Sequence, residues 1–190
     1  MAQTTEKVTI KDIKVLGCYN KMFHDAQTYP HTLKKLSKDV KKNDITAIAI
    51  AALLLSQILT PNAILVPIPQ SSGKADYTLK LANTIKIIRQ DCQVINMLCG
   101  DRHEKLFDIK KRNPKLEGID FTMRVRSNIN CKRSLKNNSN VYLLDNVLNT
   151  GFTFNQAKKA LKKYIDIEPS LLAISATSNW ISYPLNPQSV

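Results

Sequence analysis

Four short apolar runs alternate with stretches of helical periodicity along this chain, and that alternation constrains its fold more than any other feature. The runs are Ala63-Ile64-Leu65-Val66-Pro67-Ile68-Pro69, Val94-Ile95-Asn96-Met97-Leu98, Val141-Tyr142-Leu143-Leu144-Asp145 and Leu171-Leu172-Ala173-Ile174-Ser175. Runs of this length without polar alternation read as strands buried on both faces. Between and before them, apolar residues recur at spacings of three and four: Leu33, Leu36 and Val40, then Tyr77, Leu81, Ile85 and Ile88, then Ala157, Leu161 and Tyr164. Strands and helices in alternation predict an α/β fold, with a mostly parallel sheet flanked by helices.

Punctuation between the elements is clear in places. Asn43 or Asp44 can cap a helix running from Ile45 to Leu59, and Thr60-Pro61-Asn62 ends it. That helix is interrupted by Thr46, Ser56 and Gln57 and is shorter than the roughly 18 apolar residues of a membrane span, so a buried helix of a soluble protein is expected, with no membrane partner. From Gly100 to Asn140 the pattern dissolves into charged, Asn-rich sequence, with a candidate helix near Glu104 to Arg112 and a candidate strand at Phe121 to Val125. A segment this long inside a domain is usually functional or mobile. Residues 1–31 are expected to form an N-terminal extension to a domain over 32–190.

Cys18, Cys92, Cys99 and Cys131 have no zinc-ligand spacing, and His24, His31 and His103 show none either. Met1 to Lys14 lacks the apolar block of a signal peptide. A cytoplasmic location with reduced thiols is therefore expected.

Lys and Arg number 28 against 15 Asp and Glu, a formal charge of +13. Of the 28, 22 are Lys and 6 are Arg, so the charge is mostly flexible point charge rather than planar forks suited to bidentate contacts. Lysine pairs at 34–35, 41–42, 110–111, 158–159 and 162–163 fall mostly where helices would be solvated. Aromatic residues make up 6% of the chain and do not interleave with the lysines, which disfavours a nucleic-acid partner. Trp180 and Tyr183 read as packing residues of the C-terminal segment.

In an open parallel sheet, ligands bind beyond the carboxyl ends of the strands. Leu143-Leu144-Asp145-Asn146-Val147-Leu148-Asn149-Thr150-Gly151-Phe152-Thr153 is expected to place Asp145 at a strand's exit, followed by a Gly/Thr loop and a helix N-terminus. Such a loop can aim backbone N–H groups and two hydroxyls at one anion, where the helix dipole adds to the attraction. The segment from Val141 to Thr153 resembles the phosphoribosyl pyrophosphate (PRPP) motif of the type I phosphoribosyltransferases. It departs from that motif at Asn146, where the family has a second acid, and at Asn149, where it has a threonine. Leu65-Val66-Pro67-Ile68-Pro69, preceded by a helix and followed by a polar loop, resembles the ComF-like members in particular.

The resemblance implies a type I phosphoribosyltransferase-like fold with a mobile loop and a small C-terminal hood. It implies transfer of the ribose 5-phosphate of PRPP to an unidentified nitrogenous acceptor, with magnesium as cofactor and release of pyrophosphate. Asp145 and Asn146 would contact the ribose, Asp145 would also hold the metal, and Asn149, Thr150, Gly151, Phe152 and Thr153 would cradle the 5′-phosphate. Ser71, Ser72, Gly73 and Lys74 would surround the pyrophosphate, while Arg102 and Lys105 would reach it from the mobile loop. Enzymes of the family are often homodimers. Two other functions are compatible with the same likeness: a non-catalytic PRPP or nucleotide sensor, and a basic nucleic-acid-associated protein.

Overall fold

A computed structural model describes residues 13–19, 29–104, 108, 111–112, 122–126, 129–136 and 140–177. In chain order the elements are β1 (Ile13–Val15), β2 (Cys18–Tyr19), α1 (Tyr29–Lys41), α2 (Ile45–Ile58), β3 (Ile64–Pro67), α3 (Asp76–Ile88), β4 (Gln93–Val94), β5 (Leu98–Gly100), β6 (Met123–Val125), α4 (Ile129–Lys136), β7 (Val141–Leu148), α5 (Phe152–Tyr164) and β8 (Ser170–Thr177). The main sheet has the order β1-β8-β7-β3-β4, with β2 continuing along β8 beyond β1, and every described pairing in it is parallel. The chain thus has an α/β fold with a mostly parallel sheet flanked by helices.

Successive strand residues point to opposite faces, so each strand feeds two cores. Ile64, Val66, Leu143, Leu171 and Ala173 pack with Phe154, Ala157 and Leu161 of α5 and Leu135 of α4. Leu65, Tyr142, Leu144, Leu172 and Ile174 pack on the other face with Leu33 and Val40 of α1, Ala51 and Leu55 of α2, and Leu81 and Ile85 of α3. The near-continuous apolar runs are explained by this burial on both sides. Within α1–α2, Asn43 takes a left-handed turn (φ 64°) and Asp44 caps α2 by accepting from Ala47 N–H at 2.8 Å.

Several expectations are corrected. The Val94–Leu98 run is not one strand. Only Gln93 and Val94 pair with β3; the chain then leaves the sheet, and Leu98–Gly100 pairs antiparallel with Met123–Val125 in a separate ribbon. Part of the long irregular segment is therefore ordered, and the strand expected at Phe121 to Val125 exists at its C-terminal end as β6. The helix Ile45 to Leu59 is not buried all round. Ala47, Ile48, Ala51, Ala52 and Leu55 face the core, whereas Ile45, Ile50 and Leu53 are exposed on its outer side. Residues 13–19, within the expected N-terminal extension, supply the sheet edge against β8. The helix near Glu104 to Arg112 lies largely outside the described residues, as do Phe121, His24, Lys105, Trp180, Tyr183 and the expected C-terminal hood.

Candidate functional site

The interior of β7 turns polar toward its carboxyl end. After the buried Val141, Tyr142, Leu143 and Leu144 come Asp145 and Asn146, so this strand carries polar groups into the core at its carboxyl end. Asp145 is not at the strand's exit. The β7–β8 ladder continues through Val147↔Ser175 and Leu148↔Ala176, because β8 remains buried and paired to Thr177. The loop 149–151 follows, and Gly151 adopts φ 69° immediately before α5.

A cleft of about 510 Å³ opens there. Asp145 to Leu148 line it from β7 and Asn149 to Phe154 from the loop and the start of α5; Gln70 and Ser71 come from the turn after β3, and Lys34, Ser37, Lys38 and Lys41 from α1. Tyr77 of α3 and His103 complete the side facing the turn. The size lies within the range of small-molecule sites.

Beneath the cleft runs a buried polar network. Asn146 Oδ1 accepts from Tyr77 Oη at 2.8 Å, and Asn146 Nδ2 donates to the Ser37 carbonyl at 3.2 Å. Ser37 Oγ shares a 2.8 Å hydrogen bond with Ser175 Oγ and reaches the Asn146 carbonyl at 3.4 Å. Four elements, α1, α3, β7 and β8, are thereby tied together through buried side chains. Both ends of the Asn146 amide are engaged by protein. Asp145 Oδ1 accepts from the Asn146 N–H at 2.7 Å. Burial pushes the Asp145 carboxyl up to about 6, outweighing the opposing effects of that amide, of Lys41 and of Tyr77. The Tyr77 phenol is held well above its ordinary value by burial and by the neighbouring Asp145 carboxylate.

At the loop, the Thr150 hydroxyl accepts weakly from Phe152 N–H at 3.5 Å, and Thr177 Oγ1 donates to the Asn149 carbonyl at 3.1 Å. Gly151 occupies the N-cap position of α5 and supplies no side-chain acceptor there. First-turn amides of a helix without such a cap favour an anion.

The expected residues are brought together unevenly. Asp145, Asn146 and Asn149 to Thr153 share the cleft with Ser71, while Ser72, Gly73, Lys74 and Arg102 do not line it. The turn over 70–74 closes on itself: Gly73 N–H donates to the Gln70 carbonyl at 2.9 Å and Gln70 N–H to the Lys74 carbonyl at 3.0 Å. Gly73 has φ 79° and lies so close to the β5 backbone that a Cβ would overlap the Gly100 carbonyl oxygen. Arg102 is exposed next to this contact, and the adjacent His103 N–H donates to the Ser71 carbonyl at 2.9 Å.

Tyr77, Ser37, His103 and the α1 lysines were not expected in the site. Tyr77 reads in sequence as one more apolar position of α3, and nothing local marks its hydroxyl. The lysines did carry a signal: positions 34, 38 and 41 recur at four and three, so they share one face of α1, beside the side buried by Leu33 and Val40. Among the described residues no group of three or more His, Cys, Asp or Glu could hold a metal ion, and no helix is long and apolar enough to cross a membrane. Neither a protein-family model nor a curated protein matches this chain.

Proposed function

We propose that the cleft binds PRPP and that the protein is a ComF-like phosphoribosyltransferase, passing ribose 5-phosphate to a nitrogenous acceptor and releasing pyrophosphate. The observation that carries this reading is the convergence of Asp145 with the Thr150–Thr153 loop and the α5 N-terminus at the carboxyl end of one parallel strand. The loop amides and hydroxyls would anchor the 5′-phosphate, and Asp145 would accept from a ribose hydroxyl. Breaking the bond to pyrophosphate leaves positive charge on the ribose, which an adjacent carboxylate stabilises. No nucleophilic side chain is needed; the residues position the ribose between leaving group and acceptor.

Magnesium fits this donor set in a particular way. Among the described residues Asp145 is the one carboxylate lining the cleft, so the ion would be held by that oxygen ligand together with ligand oxygens and water, the mode magnesium commonly takes. Bound there, it would neutralise charge on the departing pyrophosphate.

Thermal shift of the protein with PRPP, with and without magnesium, tests the assignment. A ligand at 100 times its dissociation constant stabilises by about 2.7 kcal/mol, so an unchanged melting temperature at millimolar PRPP would refute binding in the micromolar range. Turnover is tested by pyrophosphate release over a panel of bases and amines, with Asp145→Ala as the inactive control.

A sensor that binds PRPP without turning it over is the second reading. It is favoured by Asn146, which stands where the family has an acid and directs both ends of its amide into the protein. Tight PRPP binding with no pyrophosphate release over the whole panel would select the sensor.

A further inference from the structure

We infer that Lys34, Lys38 and Lys41 of α1 form a second anion subsite, and that this row, rather than the Ser72–Lys74 turn, holds the pyrophosphate end of the ligand. The inference rests on the PRPP reading of the cleft and names the residues for the end of the ligand that the Thr150–Thr153 loop does not reach.

Three observations carry it. First, α1 and α5 pack on opposite faces of the sheet, and the cleft lies where both meet the carboxyl end of β7. A ligand anchored at the α5 N-terminus and extending over Asp145 arrives at the lysine face of α1. Second, that face is fixed in place. Ser37, one turn from both Lys34 and Lys41, is bonded to β7 and β8 through Asn146 and Ser175, and Leu33 and Val40 bury the adjoining side of the helix. Third, Lys38 and Lys41 are exposed in the lining, where Asp145 is the one carboxylate among the described residues, so that wall of the cleft presents positive charge to a ligand. A pyrophosphate group supplies complementary negative charge.

The competing turn is poorly suited to the task. The Gln70, Gly73 and Lys74 amides donate within it, to the Lys74 carbonyl, the Gln70 carbonyl and Ser72 Oγ. Gly73 is packed against Gly100, and of the turn over 70–74 Gln70 and Ser71 line the cleft while Ser72, Gly73 and Lys74 do not.

Isothermal titration calorimetry on the full chain with magnesium, using PRPP, ribose 5-phosphate and inorganic pyrophosphate, tests the assignment. Lys38 and Lys41 are exposed, so Lys38→Gln/Lys41→Gln will fold. Loss of two charge-assisted contacts weakens PRPP and pyrophosphate by at least about tenfold, with ribose 5-phosphate affinity unchanged. The inference is overturned, with the PRPP reading intact, if the double variant keeps full PRPP affinity while Lys74→Gln loses it. An equal loss of ribose 5-phosphate in the double variant overturns it as well, since the lysines would then act only as a general field. A wild-type protein that binds none of the three ligands refutes the PRPP reading itself and this assignment with it.

Discussion

Asn146→Asp places an acid where the resembled phosphoribosyltransferase motif has one, and the structure predicts that it destabilises the protein. The Asn146 Oδ1 contact to Tyr77 Oη survives, because a carboxylate also accepts. The Nδ2 contact to the Ser37 carbonyl does not: two acceptors now face each other across 3.2 Å at a site where Asn146 is only 8% exposed. A buried carboxylate set against a carbonyl without a donor between them costs about 3 kcal/mol. The nearby Asp145 adds repulsion. Burial, the facing Ser37 carbonyl and Asp145 all disfavour the ionised form and outweigh the Tyr77 donor, so the new carboxyl's pKa is raised in the folded state above its unfolded value near 4. A group with a raised folded pKa binds protons more readily folded than unfolded, so stability falls as pH rises. The deficit against wild type is therefore small below about pH 4, where the carboxyl is protonated and its O–H can donate to Ser37, and largest above the folded pKa. Urea denaturation from pH 4 to pH 8 reads this directly. A variant as stable as wild type at pH 8 would refute the buried-network role and return residue 146 to the open face of the cleft.

Asp145→Asn tests the same strand from the ligand side. With the carboxyl raised to about 6 by burial, ionisation lowers wild-type stability as pH rises from about 4 through 6, so the asparagine variant should be more stable above pH 6 by up to about 3 kcal/mol, yet fail to release pyrophosphate. Urea denaturation against pH, paired with the release assay, separates the two effects. Gly73→Ala should destabilise by more than about 2 kcal/mol, since it combines a positive φ with overlap onto the Gly100 carbonyl; an unchanged denaturation midpoint would show that the turn can move away from β5. Arg89→Ala should lower the melting temperature by about 4 °C, because this guanidinium donates to the Ser56, Leu59 and Thr60 carbonyls at the end of α2 and to Asp91.

How much of the site was legible depends on what made each residue recognisable. Asp145 and Asn149 to Thr153 are contiguous, and their spacing after an apolar strand is a local pattern, so sequence alone gathers them. Ser71 to Lys74 follow a strand in the same manner, but whether a turn's amides point to a ligand or into the turn depends on φ and on neighbours such as Gly100, which lie far along the chain. Lys34, Lys38 and Lys41 show their common face in the sequence, while the surface that face meets is set by packing. Asn146 shows its departure from the family's acid, and only its partners Tyr77 and Ser37, 69 and 109 residues away in sequence, show what the amide does.

The alternation of four apolar runs with helical periodicity was by itself enough for the α/β class and a buried parallel sheet, because two-sided burial leaves a continuous mark on composition. Local pattern also located the Gly/Thr loop after β7, since turns are made by neighbouring residues. The structure alone decided where β7 ends, that Val94 and Leu98 belong to different sheets, that α2 is open on one face, and which polar side chains meet beneath the cleft. Each of these depends on which distant segment supplies a ladder partner, an apolar cover or a hydrogen bond. Such pairings are made in three dimensions and leave no periodic trace in the chain.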